Sequence, residues 1–155
     1  MKEADVQRIV EEVLDKATNP KMNLAKAVLL IEKVEHEAAR IGVQAVVAVS
    51  NEAARPIAIH CMDDSYIASF DVAVNKAYTV VALKMSTLKL KELSQPGSSL
   101  YGIQCTNNGK IVIFGGGVPL FYKGKLIGGL GVSGGTEEQD SALAEYGEKC
   151  LEEVM

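Results

Sequence analysis

An imidazole next to a thiol pairs a base with a nucleophile, and His60 and Cys61 are adjacent in this chain. The run Pro56 to Met62 reads as a strand, however, and strand neighbours point to opposite faces, so the two cannot easily form a dyad. The same alternation puts His60 and Met62 on one face. Imidazole with thioether is an axial pair for haem iron, which makes His60 a candidate ligand with Met62 beside it, although a strand histidine is more often structural. His36, the chain's other histidine, falls between Val34 and Ala38 on a helical pattern and reads as a boundary residue, yet one imidazole is enough to hold haem. Asp63 and Asp64 could pair on a metal, but their place ahead of a helix favours capping. Cys61, Cys105 and Cys150 are widely spaced and form no CxxC pair, so reduced thiols are expected rather than a disulfide framework or a zinc knuckle.

Glycines supply a second pattern. Gly129-Leu130-Gly131-Val132-Ser133-Gly134 matches GxGxxG between a strand and a helix. Glu137, Glu138 and Asp140 already place negative charge where a pyrophosphate would sit, and no further parallel strand with an acidic partner follows, so a dinucleotide site is not expected. Each glycine inside regular structure costs roughly 0.5–1 kcal/mol relative to alanine and so requires a reason. Alternation places Ile127, Gly129, Gly131 and Ser133 on one face of the last strand, a trough bare of side chains over its middle. Gly129 and Gly131 would there meet either a tightly packed helix, a neighbouring subunit or a planar ligand. Gly115-Gly116-Gly117 reads similarly, as a sharp reversal or part of a ligand wall.

The elements that must position these residues follow from periodicity. Val6, Ile9, Val10, Val13, Leu14 and Ala17 mark an amphipathic helix ended by Asn19-Pro20. Asn23 caps a second helix with the stripe Leu24, Val28, Ile31, Val34, Ala38 and Ile41, stopped by Gly42. Val43 to Val49 is a β-branched, doubly covered strand, and Pro56 to Met62 its antiparallel neighbour. A long helix follows on Ile67, Phe70, Val74, Ala77, Val81 and Met85, then a weaker one over Ser86 to Leu93. Lys110 to Phe114, Pro119 to Tyr122 and Lys125 to Val132 are three strand candidates, the last two joined by Lys123-Gly124. Thr136 and Gln139 form a capping box for the final helix, whose buried face is Leu143, Tyr146, Cys150 and Val154. The expected fold is α+β, a five-stranded, mainly antiparallel sheet packed against helices.

A length of 155 residues, with 48% apolar and 23% charged, describes one domain with ample core. A formal net charge of −4 lacks the positive excess that draws a protein to nucleic acid. No apolar run approaches the roughly 18 residues of a membrane span, and the charged N-terminus is unlike a secretion signal, so a cytoplasmic protein is expected.

Asn75 to Met85 (NKAYTVVALKM), Gln95 to Gln104 (QPGSSLYGIQ), Gly109 to Leu120 (GKIVIFGGGVPL) and Ile127 to Asp140 (IGGLGVSGGTEEQD) resemble the GlcG/HbpS family, which includes the PduO C-terminal domain. The likeness covers roughly residues 22 to 154, leaving residues 1–20 as a separate amphipathic helix ahead of a GlcG/HbpS-like domain over 21–155. It implies a profilin-like fold, homo-oligomers and haem binding in some members, with no catalytic reaction attached to the domain. In place of the family's usual Arg-Met-Asp this chain has Cys61-Met62-Asp63. The first helix resembles the tags that direct enzymes into bacterial microcompartments of propanediol or ethanolamine utilisation, where shell or cargo proteins would be partners. Packing on its own domain is the other reading of that helix.

Overall fold

The computed structural model describes residues 3–18 and 20–155. Asn19, half of the expected Asn19-Pro20 break, lies outside the described residues. In chain order the elements are α1 (Glu3–Thr18), α2 (Leu24–Arg40), β1 (Val46–Asn51), β2 (Pro56–Cys61), α3 (Ile67–Leu83), α4 (Thr87–Leu93), β3 (Gly117–Tyr122), β4 (Lys125–Ser133), α5 (Glu137–Lys149) and α6 (Leu151–Val154). The strands form one antiparallel sheet in the order β2-β1-β4-β3.

Helices cover both faces. Val47 and Val49 of β1, with Leu130 and Val132 of β4, bury against Leu30, Ile31 and Val34 of α2 and Leu143 and Ala144 of α5. On the other face Val46 and Ala48 pack on Ala73 and Ala77 of α3. This double coverage explains why β1 is apolar at nearly every position. Local signals hold at α2 and α5 but not at α3, where Asp63 and Asp64 fall short of the helix start and the cap position is taken by Tyr66 with no side-chain hydrogen bond. The Asn23 side chain accepts the Lys26 N–H and starts α2, Gly42 follows its end at φ +76°, and Thr136 and Gln139 form a reciprocal capping box.

Four strands are present among the described residues, not five. Lys110 to Phe114, expected as a strand, runs as irregular chain along α3. The Thr79 hydroxyl of that helix accepts the Val112 N–H at 3.0 Å and lies 3.3 Å from the Lys110 carbonyl, so a side chain meets backbone groups that a ladder would otherwise satisfy. The stripe of α3 is also rotated from the expected one. Ser69, Ala73, Lys76, Ala77 and Val80 face the sheet, while Ile67 is 97% exposed.

Candidate functional site

β2 is an edge strand, and its residue alternation turns His60 toward α2. There the Nδ1 atom lies 3.2 Å from Oε1 of Glu35, with the two side chains 34% and 22% exposed. A carboxylate on one ring nitrogen fixes the orientation of an imidazole, the arrangement that supports metal-ligating histidines. Nε2 carries no hydrogen bond among the described residues. The ring is thus held from one side and available on the other.

The remaining expected site residues do not converge on it. Met62 lies on the same side of the sheet, but its sulfur accepts the Ala45 N–H at 3.3 Å and its side chain packs against the core, so it is engaged as an internal filler. His36 is exposed on α2, next in sequence to Glu35. Gly129 and Gly131 face the opposite side of the sheet, and the trough they form is closed by α3. A Cβ on Gly131 would collide with the Ala73 carbonyl and the Ala77 amide, and one on Gly129 with the Ala77 carbonyl. Of the occupants expected for that face, the tightly packed helix is the one present, because Ser69, Ala73 and Ala77 are small enough to bring α3 onto bare backbone.

Where α3 meets the start of α5, the structure places a charged pair that periodicity did not reveal. Lys76 is fully buried, with Nζ 3.2 Å from Oδ2 of Asp140, 2.7 Å from the Val132 carbonyl and 5.1 Å from the centre of the Phe114 ring. Burial pulls its ammonium below the ordinary lysine value, against the opposing pull of Asp140. The other Asp140 oxygen accepts the Gly135 N–H at 2.8 Å. Glu137 meets Lys91 at 2.5 Å and accepts the Gly115 N–H, and Lys91 beside it holds its carboxyl below the usual range. The Gly135 N–H, next after the GxGxxG run, is therefore engaged by the chain's own Asp140. A hollow of about 280 Å³ opens beside this pair, with Tyr66 and Phe114 at its sides and Ser69, Ser133 and Asp140 among its polar groups. Only Asp140 carried a signal in the sequence, as an acid at a helix start. Lys76 lay unmarked inside an otherwise apolar helix face.

Among the described residues no three His, Cys, Asp or Glu side chains gather as a metal-binding group, and no helix is long and apolar enough to cross a membrane. The molecule is an α+β domain whose antiparallel four-stranded sheet is covered on both faces and carries a carboxylate-oriented imidazole at one edge. Residues 22–149 match the family described as haem-degrading protein HbpS-like, and the chain belongs to that family. It is 44% identical over 133 residues to an uncharacterized 15.0 kDa protein from the dhaT-dhaS intergenic region of Citrobacter freundii, covering 86% of this chain and 94% of that one. To the corrinoid adenosyltransferase PduO of the same organism it is 48% identical over 84 residues, which is 54% of this chain but only 25% of PduO. Among solved structures, Klebsiella pneumoniae ORFY aligns with a TM-score of 0.82 at 40% identity, over 84% of this chain and 90% of that one. A PduOC:heme complex aligns at 0.81 and 35% identity, over 84% and 94% of the two chains. HbpS of Streptomyces reticuli shares the fold at 0.75 and 22% identity, over 85% and 88%.

Proposed function

We propose that this chain is a small, homo-oligomeric haem- or tetrapyrrole-binding protein, accessory to a catabolic microcompartment pathway of the propanediol- or ethanolamine-utilising kind. The observation that carries the reading is the His60–Glu35 contact on an exposed sheet edge, in a fold shared with a relative crystallised as a haem complex. His60 supplies the iron ligand through Nε2, and Glu35 keeps the ring in place from Nδ1. His36 is the alternative ligand. Haem, when bound, would supply an iron centre; the chain's part is to hold it and shield it from water.

Neither imidazole lines the hollow beside Lys76 and Asp140, and the half-buried His60 ring on the edge strand offers a flat ligand one open side. A second copy of the chain would complete the enclosure, which ties the binding and oligomer readings together. The pathway reading draws on the likeness to part of PduO and on the apolar stripe of α1. Free from membrane-spanning helices among its described residues, such a protein would work in the cytoplasm or inside a microcompartment, with shell or cargo proteins as partners of α1.

The test is a haem titration followed by absorbance. Saturable growth of a shifted Soret band in the parent, lost in a His36→Ala/His60→Ala double variant, supports the reading, and Glu35→Gln should weaken binding about tenfold or more. No Soret shift, or one unchanged in the double variant, overturns the ligand assignment and leaves a purely structural interaction module.

A further inference from the structure

On the α3 side of the sheet, opposite to His60, a separate cavity of about 340 Å³ lies at the tip of the β1–β2 hairpin. Arg55 and Lys110 both line it. Neither forms an ion pair among the described residues; Glu52 in the same turn and Asp71 earlier on α3 are exposed and contact neither cation as a salt bridge. In a chain of net charge −4, two cationic residues with no ion pair among the described residues line one hollow.

The surroundings hold these groups in place. Lys110 Nζ sits 5.4 Å from the centre of the Tyr78 ring, whose hydroxyl accepts a hydrogen bond from Asn107 Nδ2 at 3.1 Å. Arg55 is fixed at its backbone: Asn51 Oδ1 accepts the N–H groups of Ala53 and Arg55 at 2.9 and 3.0 Å, and the Arg55 carbonyl accepts the Asn51 N–H at 2.9 Å. To close this turn Ala54 adopts φ +57°, a left-handed conformation unusual for alanine and of the kind found where a loop is held for a purpose. Asn75, on the cavity wall, has a side-chain amide with no partner among the described residues. Val74 and Pro56 complete an apolar floor.

An arginine and a lysine lining one hollow suit a carboxylate or phosphate group, and the volume exceeds what one such group fills. We infer that this cavity binds a small organic anion, its acidic group between Arg55 and Lys110 and its body against Tyr78 and Val74, with Asn75 reading a polar substituent. The site is independent of haem binding because it lies across the sheet from His60.

The experiment uses the full chain labelled with ¹⁵N and three probes: succinate, inorganic phosphate and uncharged succinamide. Saturable amide shifts confined to residues 53–55, 74–78 and 110 are expected with at least one of the two anions and absent with succinamide. The tighter-binding anion identifies the acidic group. Arg55→Gln/Lys110→Gln, both at exposed positions, should keep the spectrum of a folded protein and weaken binding about tenfold or more, roughly the loss expected for removing charge-assisted hydrogen bonds. The His36→Ala/His60→Ala variant should bind the anion as the parent does, so failure of the haem reading would leave this result intact. Shifts that stay linear up to about 50 mM, far weaker than millimolar binding, that scatter over the surface, or that persist in the Arg55/Lys110 variant would overturn the site.

Discussion

Lys76 and Asp140 form an ion pair at 3.2 Å in which the lysine has no exposed surface, joining the middle of α3 to the first turn of α5 across the end of β4. Removing two charges from water costs several kcal/mol each, and here hydrogen bonds to the Val132 carbonyl and from the Gly135 amide offset it. The pair fixes the relative position of two helices on opposite faces of the sheet. Gly116 leaves room for it, since a Cβ there would meet the lysine Nζ.

Breaking one side of that pair should be worse than removing both charges. Lys76→Met leaves a buried carboxylate unpaired and is expected to cost ~3–5 kcal/mol. In Lys76→Met/Asp140→Asn the amide oxygen can still accept the Gly135 N–H, so much of the loss should be recovered. Urea unfolding midpoints of the two variants decide this, and equal midpoints would show that the charge itself matters little.

The closeness of α3 to β4 gives a second expectation. In Gly131→Ala the new methyl meets the Ala73 carbonyl and the Ala77 amide, both backbone, so no rotamer change can relieve it and α3 must lift. The expected cost is ~1–3 kcal/mol, or about 2–4 °C in Tm per kcal/mol for a chain of this size. A thermal scan showing an unchanged Tm would mean that the helix is not seated on the glycine backbone.

How much of this the sequence revealed depended on range. The Asn23 cap, the Gly42 stop, the Thr136 and Gln139 capping box and the Lys123-Gly124 turn were legible because each is decided by residues within a few positions. Lys110 to Phe114 was misread because its β-like composition serves burial of Ile111 and Val112 beneath α3, and the Thr79 hydroxyl that replaces a strand partner is remote in sequence. The α3 stripe was misread for a related reason. Helical periodicity finds the large apolar face, whereas the buried face here is small, with Ser69, Ala73 and Ala77 matched to glycines on another strand. His60 was legible as a candidate by alternation, but Glu35, which orients it, comes from α2 and had no local signal. The anion cavity was invisible because Arg55 and Lys110 are brought together only by the tertiary fold.

The Glu137–Lys91 pair predicts a pH dependence. Lys91 lowers the Glu137 carboxyl in the folded state, so as pH falls the unfolded chain takes up this proton first. The stability it contributes is complete above the unfolded glutamate value and is lost as pH drops through the folded one, a window lying below about pH 5. Parent protein should therefore lose more stability than Glu137→Gln between about pH 6 and pH 3, with a difference under about 1 kcal/mol because the pair is partly exposed. Urea midpoints at the two pH values measure it, and parallel losses would show that the pair adds nothing to acid stability.

The apolar stripe of α1 stands open, with Val6 41%, Ile9 47%, Val10 49% and Val13 59% exposed. A helix that belonged to the domain core would bury these side chains, each worth about 1.5–3 kcal/mol when fully covered. Deleting residues 1–20 is therefore expected to leave a folded protein of the parent's oligomeric state with a Tm within a few degrees of the parent, read by circular dichroism and size-exclusion chromatography. The same segment fused to a fluorescent reporter should gather with microcompartment shells when co-expressed with them, while a Val6→Glu/Val13→Glu fusion should stay dispersed. If the truncated chain aggregates or unfolds, the stripe packs on its own domain in solution and the docking reading of α1 falls.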